Sequence, residues 1–159
     1  MDLFKEYLNK ADSSKVIRRA LTDNSYKNEY SRVNHRQYDG DVNTDLATYG
    51  DAVIRLCYCE ILLDKTNELT KEKANYESDK YLVEEVARHY DLLKYIKKDT
   101  KDINLAVDYD YDSYESGNGN RAKYIATAVE AMIGAIYKET NDIEPIAELL
   151  KCWMDFKGN

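Results

Sequence analysis

Apolar positions recur at helical spacing along most of this chain, interrupted by polar stretches. Residues 2–10 form a short amphipathic helix. Ser13 and Ser14 can cap a second helix reaching about residue 25, with Val16, Ile17 and Leu21 as its stripe. The polar stretch 26–41, which carries Gly40, reads as a loop. A long helix is predicted from about residue 42 to 64, with Asn43 or Asp41 as cap. Residues 68–76 are weakly patterned. Ser78 opens another helix, with Leu82, Val86, Tyr90 and Leu93 at helical spacing. Residues 97–104 are charged and read as loop. Residues 107–120 (VDYDYDSYESGNGN) read as a mobile segment. Alternating Tyr and Asp leave a short strand within 108–114 open. A helix from about 121 to 139 follows, and Asn141 or Asp142 begins the last one, with Pro145 in its first turn. The pattern predicts an all-α fold in a single domain, residues 1–159.

Two of these helices contain an acid where the surroundings are apolar. Asp51 lies within LATYGDAVIRLCYCEILL (46–63) and Glu130 within KYIATAVEAMIGAIY (123–137). Buried carboxylates are rare unless paired, protonated or holding a cation. Two of them, each beside small residues on a core helix, suggest one hard-cation site. Mg²⁺ suits it, since that ion takes one or two protein carboxylates and fills its other positions with water and phosphate. Asp51 can instead pair with Arg55, four residues on, and Glu130 with Lys123, two turns back.

Composition narrows the classes. The 159 residues include one Pro and six Gly, and the net charge is −7. Non-specific nucleic-acid affinity comes from Lys and Arg on phosphates, so any RNA surface must be local or depend on cations. Three Cys, with Cys57 and Cys59 on different helix faces, point to a reducing, cytoplasmic setting rather than to disulfides. No apolar run approaches a membrane span, and MDLFKEYLNK is not a signal peptide.

Four segments in order resemble the catalytic domain of the ribonuclease III family. ALTDNSYKNEY (20–30) is similar to the motif ALTHRSY, and LATYGDAV (46–53) to the signature LEFLGDAV. SDKYLVEEVARHYDLLKYI (78–96) resembles the helix carrying LAxxARxLGL. SGNGNRAKYIATAVEAMIGAIY (116–137) resembles SGGRxKxxILADAFEALIGAIY. The resemblance implies an all-helical endonuclease fold. It also implies a homodimer that hydrolyses double-stranded RNA with Mg²⁺, Mn²⁺ being able to substitute, and leaves 5′-phosphates. Asp51 and Glu130 match the family's catalytic, metal-holding acids. Two further acids of the usual motifs are replaced by Ala47 and Thr127. That pair of replacements resembles the short branch called Mini-III, which implies processing of ribosomal RNA precursors without an appended double-stranded-RNA-binding domain. A protein that delivers the RNA would then be an additional partner. The aromatic usually two residues before the signature Gly is Thr48, with Tyr49 next to it.

Secondary candidates each have a plainer reading. Thr127 can hold a metal-bound water or simply bond a backbone carbonyl. Asp45 can reach the cation from the helix start or merely favour the helix dipole. Arg121 and Lys123 follow SGNGN, where a helix start can receive phosphate, or they are surface charges. Arg36, with Arg32 and His35, can touch RNA backbone or lie in a solvated loop. Glu77, Asp79 and the acids between 108 and 112 read as solvated, and Tyr58, Tyr90 and Tyr137 as core. Loss of two carboxylates leaves a second class open, a catalytically inactive module that binds RNA or ribosomes.

Overall fold

Two long apolar helices cross at the centre of the molecule, and shorter helices are laid around them. The computed structural model describes residues 2–105, 111–114, 117 and 119–156. In chain order the helices are α1 (Leu3–Leu8), α2 (Lys15–Ala20), α3 (Tyr26–Asn34), α4 (Thr44–Leu62) and α5 (Leu69–Glu77). After them come α6 (Asp79–Tyr81), a π-helical stretch (Leu82–Ala87), α7 (Arg88–Tyr90), a 3₁₀ turn (Leu92–Tyr95), α8 (Gly119–Thr140) and α9 (Ile143–Met154). No strand occurs among the described residues, as the all-α expectation required.

α8 is the centre of the core. Ala122, Ile125, Val129, Met132, Ile133 and Ile136 are all buried, and α4 supplies Leu46, Val53, Ile54, Cys57 and Tyr58 against them. The α4–α8 contact is the largest in the fold. It depends on two glycines. A Cβ on Gly50 would lie 1.7 Å from the Glu130 carbonyl oxygen, and one on Gly134 would lie 2.4 Å from that of Leu46. The helices therefore meet backbone to backbone, each glycine facing the other helix. An aromatic cluster closes the far end. Phe4 stacks on Tyr90 with centroids 4.5 Å apart, and Trp153 Nε1 donates to the Tyr90 hydroxyl at 3.0 Å.

Several boundaries differ from the sequence reading. The second helix, capped by Ser14 as expected, stops at Ala20. The Asp23 amide bonds the Lys97 carbonyl, and the Lys97 amide bonds the Leu21 carbonyl, both at 2.8 Å. The stretch read as a loop contains α3. This helix buries no residue; rings of Tyr26, Tyr30 and Tyr38 pack edge to face, and Arg32 bonds Asp99 at 2.6 Å. Its stabilising contacts are aromatic and ionic, so an apolar period could not reveal it. Asn43 does occupy the N-cap position of α4, but its amide donates to the Ala20 carbonyl instead of capping. The helix after Ser78 is interrupted by the π-helical stretch and ends at Asp91, which has φ 51°. Of the segment expected to be mobile, 107–110, 115, 116 and 118 lie outside the described residues, as do 108–110 of the optional strand. Tyr111–Tyr114 form turns.

Candidate active site

The glycine contact fixes the chemistry. Gly50 immediately precedes Asp51, and the backbone it touches is that of Glu130. The crossing therefore brings the two acids flagged in the sequence into one open cleft of about 740 Å³. Asp51 is one-third exposed and Glu130 is half-buried. Their carboxyl groups are close enough to interact directly. Burial, then the adjacent Asp51 carboxylate, then the Asp79 charge, push the Glu130 carboxyl up to about 8, with Arg55 acting in the opposite sense. Near neutral pH the cation-free pair thus holds a proton, because two negative charges this close in a half-buried site repel.

That proton makes a testable contribution to stability. Unfolded, Glu130 ionises near its ordinary value of 4.5; folded, it stays protonated to about 8. The native state therefore binds more protons between these values, and stability falls as pH rises through the window. In cation-free buffer the Tm is expected to drop as pH rises from about 5 to about 8, and Glu130→Gln is expected to flatten that drop. Asp99 works in a separate, acidic window: its bond to Arg32 holds it below the ordinary carboxylate value, so its contribution is lost only as pH falls through the acid range. A Gln variant with the parent's slope would count against the shared proton.

The remaining candidates divide. Ala47, Thr127 and Lys123 line the cleft. Thr127 Oγ1 donates to the Lys123 carbonyl at 3.1 Å, the plainer of its two readings, with its oxygen still on the cleft wall. Asp45 is not brought there; its side chain is 93% exposed and faces Arg19 at 4.0 Å. Arg121 points away, donating to the Leu105 carbonyl at 3.3 Å. Arg36 bonds the Tyr30 hydroxyl at 3.0 Å, within the α3 aromatic cluster. Arg55 does form the ion pair with Asp51 that the spacing allowed, Nε to Oδ2, 3.0 Å.

Glu77 and Asp79 correct the reading that both are solvated. Both line the cleft opposite α4. Glu77 is largely buried, accepts from Lys73 Nζ at 2.6 Å through Oε1, and keeps Oε2 buried without a partner among the described residues. No pattern along the chain signals this, because it depends on α5 packing beside α4. Even so, among the described residues no three His, Cys, Asp or Glu side chains group as a metal-binding set. The carboxylates that could reach one cation from both long helices are those of Asp51 and Glu130.

Those donors fit a divalent cation. One positive ion held by both carboxylates would offset their repulsion and displace their shared proton, and the open cleft would admit the water and phosphate that such an ion also needs. All three cysteines are free, and no helix among the described residues is long and apolar enough to cross a membrane.

Residues 44–141 match the sequence family described as Ribonuclease III domain. The chain is 33% identical over 142 residues to Ribonuclease 3 of Natranaerobius thermophilus, covering 86% of this chain and 54% of that protein. It is 33% identical to Ribonuclease 3 of Clostridium tetani, covering 80% of this chain and 48% of that one. The chain thus spans about half the length of the curated relatives it matches. In fold it is similar to the crystal structure of the nuclease domain of ribonuclease III from Campylobacter jejuni. The TM-score is 0.66 at 21% identity, covering 98% of this chain and 95% of that one.

Proposed function

This chain belongs to the ribonuclease III family, and from the two apposed acids we propose that it is an endoribonuclease hydrolysing double-stranded or structured RNA. The observation that carries the reading is the Asp51–Glu130 pair, held across a glycine contact in an open cleft. Asp51 and Glu130 hold Mg²⁺, or Mn²⁺ in its place. When bound, the cation supplies Lewis acidity, which eases ionisation of water and offsets charge on the phosphate. Lys123, on the cleft wall, meets the RNA backbone. Arg121 and Arg36 have no part in that contact, being engaged elsewhere. Products carry 5′-phosphates, and ribosomal RNA precursors are the substrates that the Ala47 and Thr127 pattern favours. A cytoplasmic location belongs to the same reading, supported by three free thiols.

The working unit is a homodimer. Tyr49, Ala52, Leu56, Cys59 and the C-cap residue Leu63 repeat at three- and four-residue steps along α4 and its end. Tyr49, Leu56 and Leu63 are 40%, 50% and 61% exposed. An apolar stripe of this kind on a single helix suits a two-fold contact in which the same patch meets itself. Leu56→Asp is expected to leave the fold intact and shift the protein to monomers in analytical ultracentrifugation. A parent that sediments as a monomer at micromolar concentration would remove the dimer from the proposal.

The test of function is incubation with duplex RNA and with a folded ribosomal RNA fragment, in Mg²⁺ and in EDTA. Cuts present with Mg²⁺ and absent in EDTA are expected. Intact RNA in both, from a folded protein that retards the RNA on a gel, would favour the second reading. In that reading the absent acids at 47 and 127 leave a binding module only.

A further inference from the structure

The cleft has donors for one cation but an excess of negative charge around it. Asp51, Glu77, Asp79 and Glu130 line it, against Arg55 and Lys123. A phosphodiester entering this cleft needs positive charge on both sides of the bond that breaks, and two-metal sites meet that need with a second ion. Here no third carboxylate joins Asp51 and Glu130 to hold one among the described residues. Arg55 is the cation already in place. Its Nε lies 3.0 Å from Asp51 Oδ2, and its side chain is 59% exposed at the cleft wall. An exposed ion pair within one helix is weak and easily exchanged. A guanidinium also presents several donors in a planar fork that matches phosphate, which an ammonium does not.

We propose that Arg55 is an exchangeable counter-charge, neutralising Asp51 while no divalent cation is bound, yielding that carboxylate to the cation, and then clamping the RNA phosphate in the same cleft. This rests on the reading that Asp51 and Glu130 hold the cation. Arg55 is thereby both a brake on cation binding and the side chain that takes the part of a second ion.

The test uses the full chain and Mn²⁺, titrated without RNA and followed by electron paramagnetic resonance. Arg55→Gln removes a positive charge a few ångströms from the bound ion, so Mn²⁺ is expected to bind roughly tenfold more tightly than to the parent. Arg55→Lys is expected to stay near the parent. At saturating Mn²⁺, kcat/KM on duplex RNA is expected to fall roughly ten- to a hundredfold in Arg55→Gln, with partial recovery in Arg55→Lys. Unchanged or weaker Mn²⁺ affinity in Arg55→Gln, or unchanged kcat/KM, overturns the proposal. If the parent binds Mn²⁺ and Glu130→Gln does not, that failure belongs to Arg55 alone. If the parent binds no Mn²⁺, the cation reading fails and this proposal with it.

Discussion

Alanine at position 50 is expected to prevent the chain from reaching this structure. In an exposed helix interior Gly→Ala would stabilise by about 1 kcal/mol, since alanine is the better helix former. Here the sign reverses. The added methyl would sit 1.7 Å from the Glu130 carbonyl oxygen, 2.6 Å from its carbon and 2.8 Å from the Gly134 nitrogen. All three are backbone atoms of a buried helix, so no rotamer change can clear them. The helices would have to separate along the whole α4–α8 contact, opening voids where Ala128, Ala131 and Ala135 are now fully buried. A loss of at least about 4 kcal/mol is expected, a large part of a typical domain's stability. Gly134→Ala, 2.4 Å from the Leu46 carbonyl, should act in the same direction. Circular dichroism melts check both. A Gly50→Ala protein melting within a few degrees of the parent would show that the helices do not cross this closely.

How legible this was in the sequence depends on which force holds each element. α4 and α8 are long and largely apolar, so their period stands out, and Asp51 and Glu130 are conspicuous because each breaks an apolar run. The apposition of the two acids was not readable from period alone. It follows from where Gly50 and Gly134 let the backbones touch. Helix geometry, by contrast, could have sorted the secondary candidates beforehand. Asp45 precedes Asp51 by six residues, about 120° round the helix, and is found facing Arg19. Arg121 precedes Glu130 by nine, about half a turn away, and is found on Leu105. Lys123 precedes it by seven, nearly in line, and does reach the cleft. α3 and the position of Glu77 were beyond such arguments. The first is held by tyrosine rings and an arginine, the second by the packing of α5 on α4.

Glu130→Gln and Asp51→Asn are expected to lower Mg²⁺-dependent cleavage of duplex RNA by on the order of a thousandfold, about 4 kcal/mol of barrier. Each change preserves shape and removes one of the two carboxylates proposed to hold the cation, and neither Ala47 nor Thr127 can substitute as an anionic ligand. The same variants should separate loss of function from loss of fold. In cation-free buffer at pH 8, Glu130→Gln should melt at or above the parent's temperature, because an amide in a half-buried site carries no charge to repel Asp51. Mg²⁺ should then raise the Tm of the parent only. A ligand at a hundred times its Kd stabilises by about 2.7 kcal/mol, several degrees for a domain of this size. A Gln variant that unfolds would make Glu130 a structural residue. A Gln variant that folds and cuts as the parent does would make the acid pair incidental to the chemistry. Stable parent and variant proteins that both bind RNA, neither cutting nor gaining Tm from Mg²⁺, would place the chain among RNA-binding modules built on a nuclease fold.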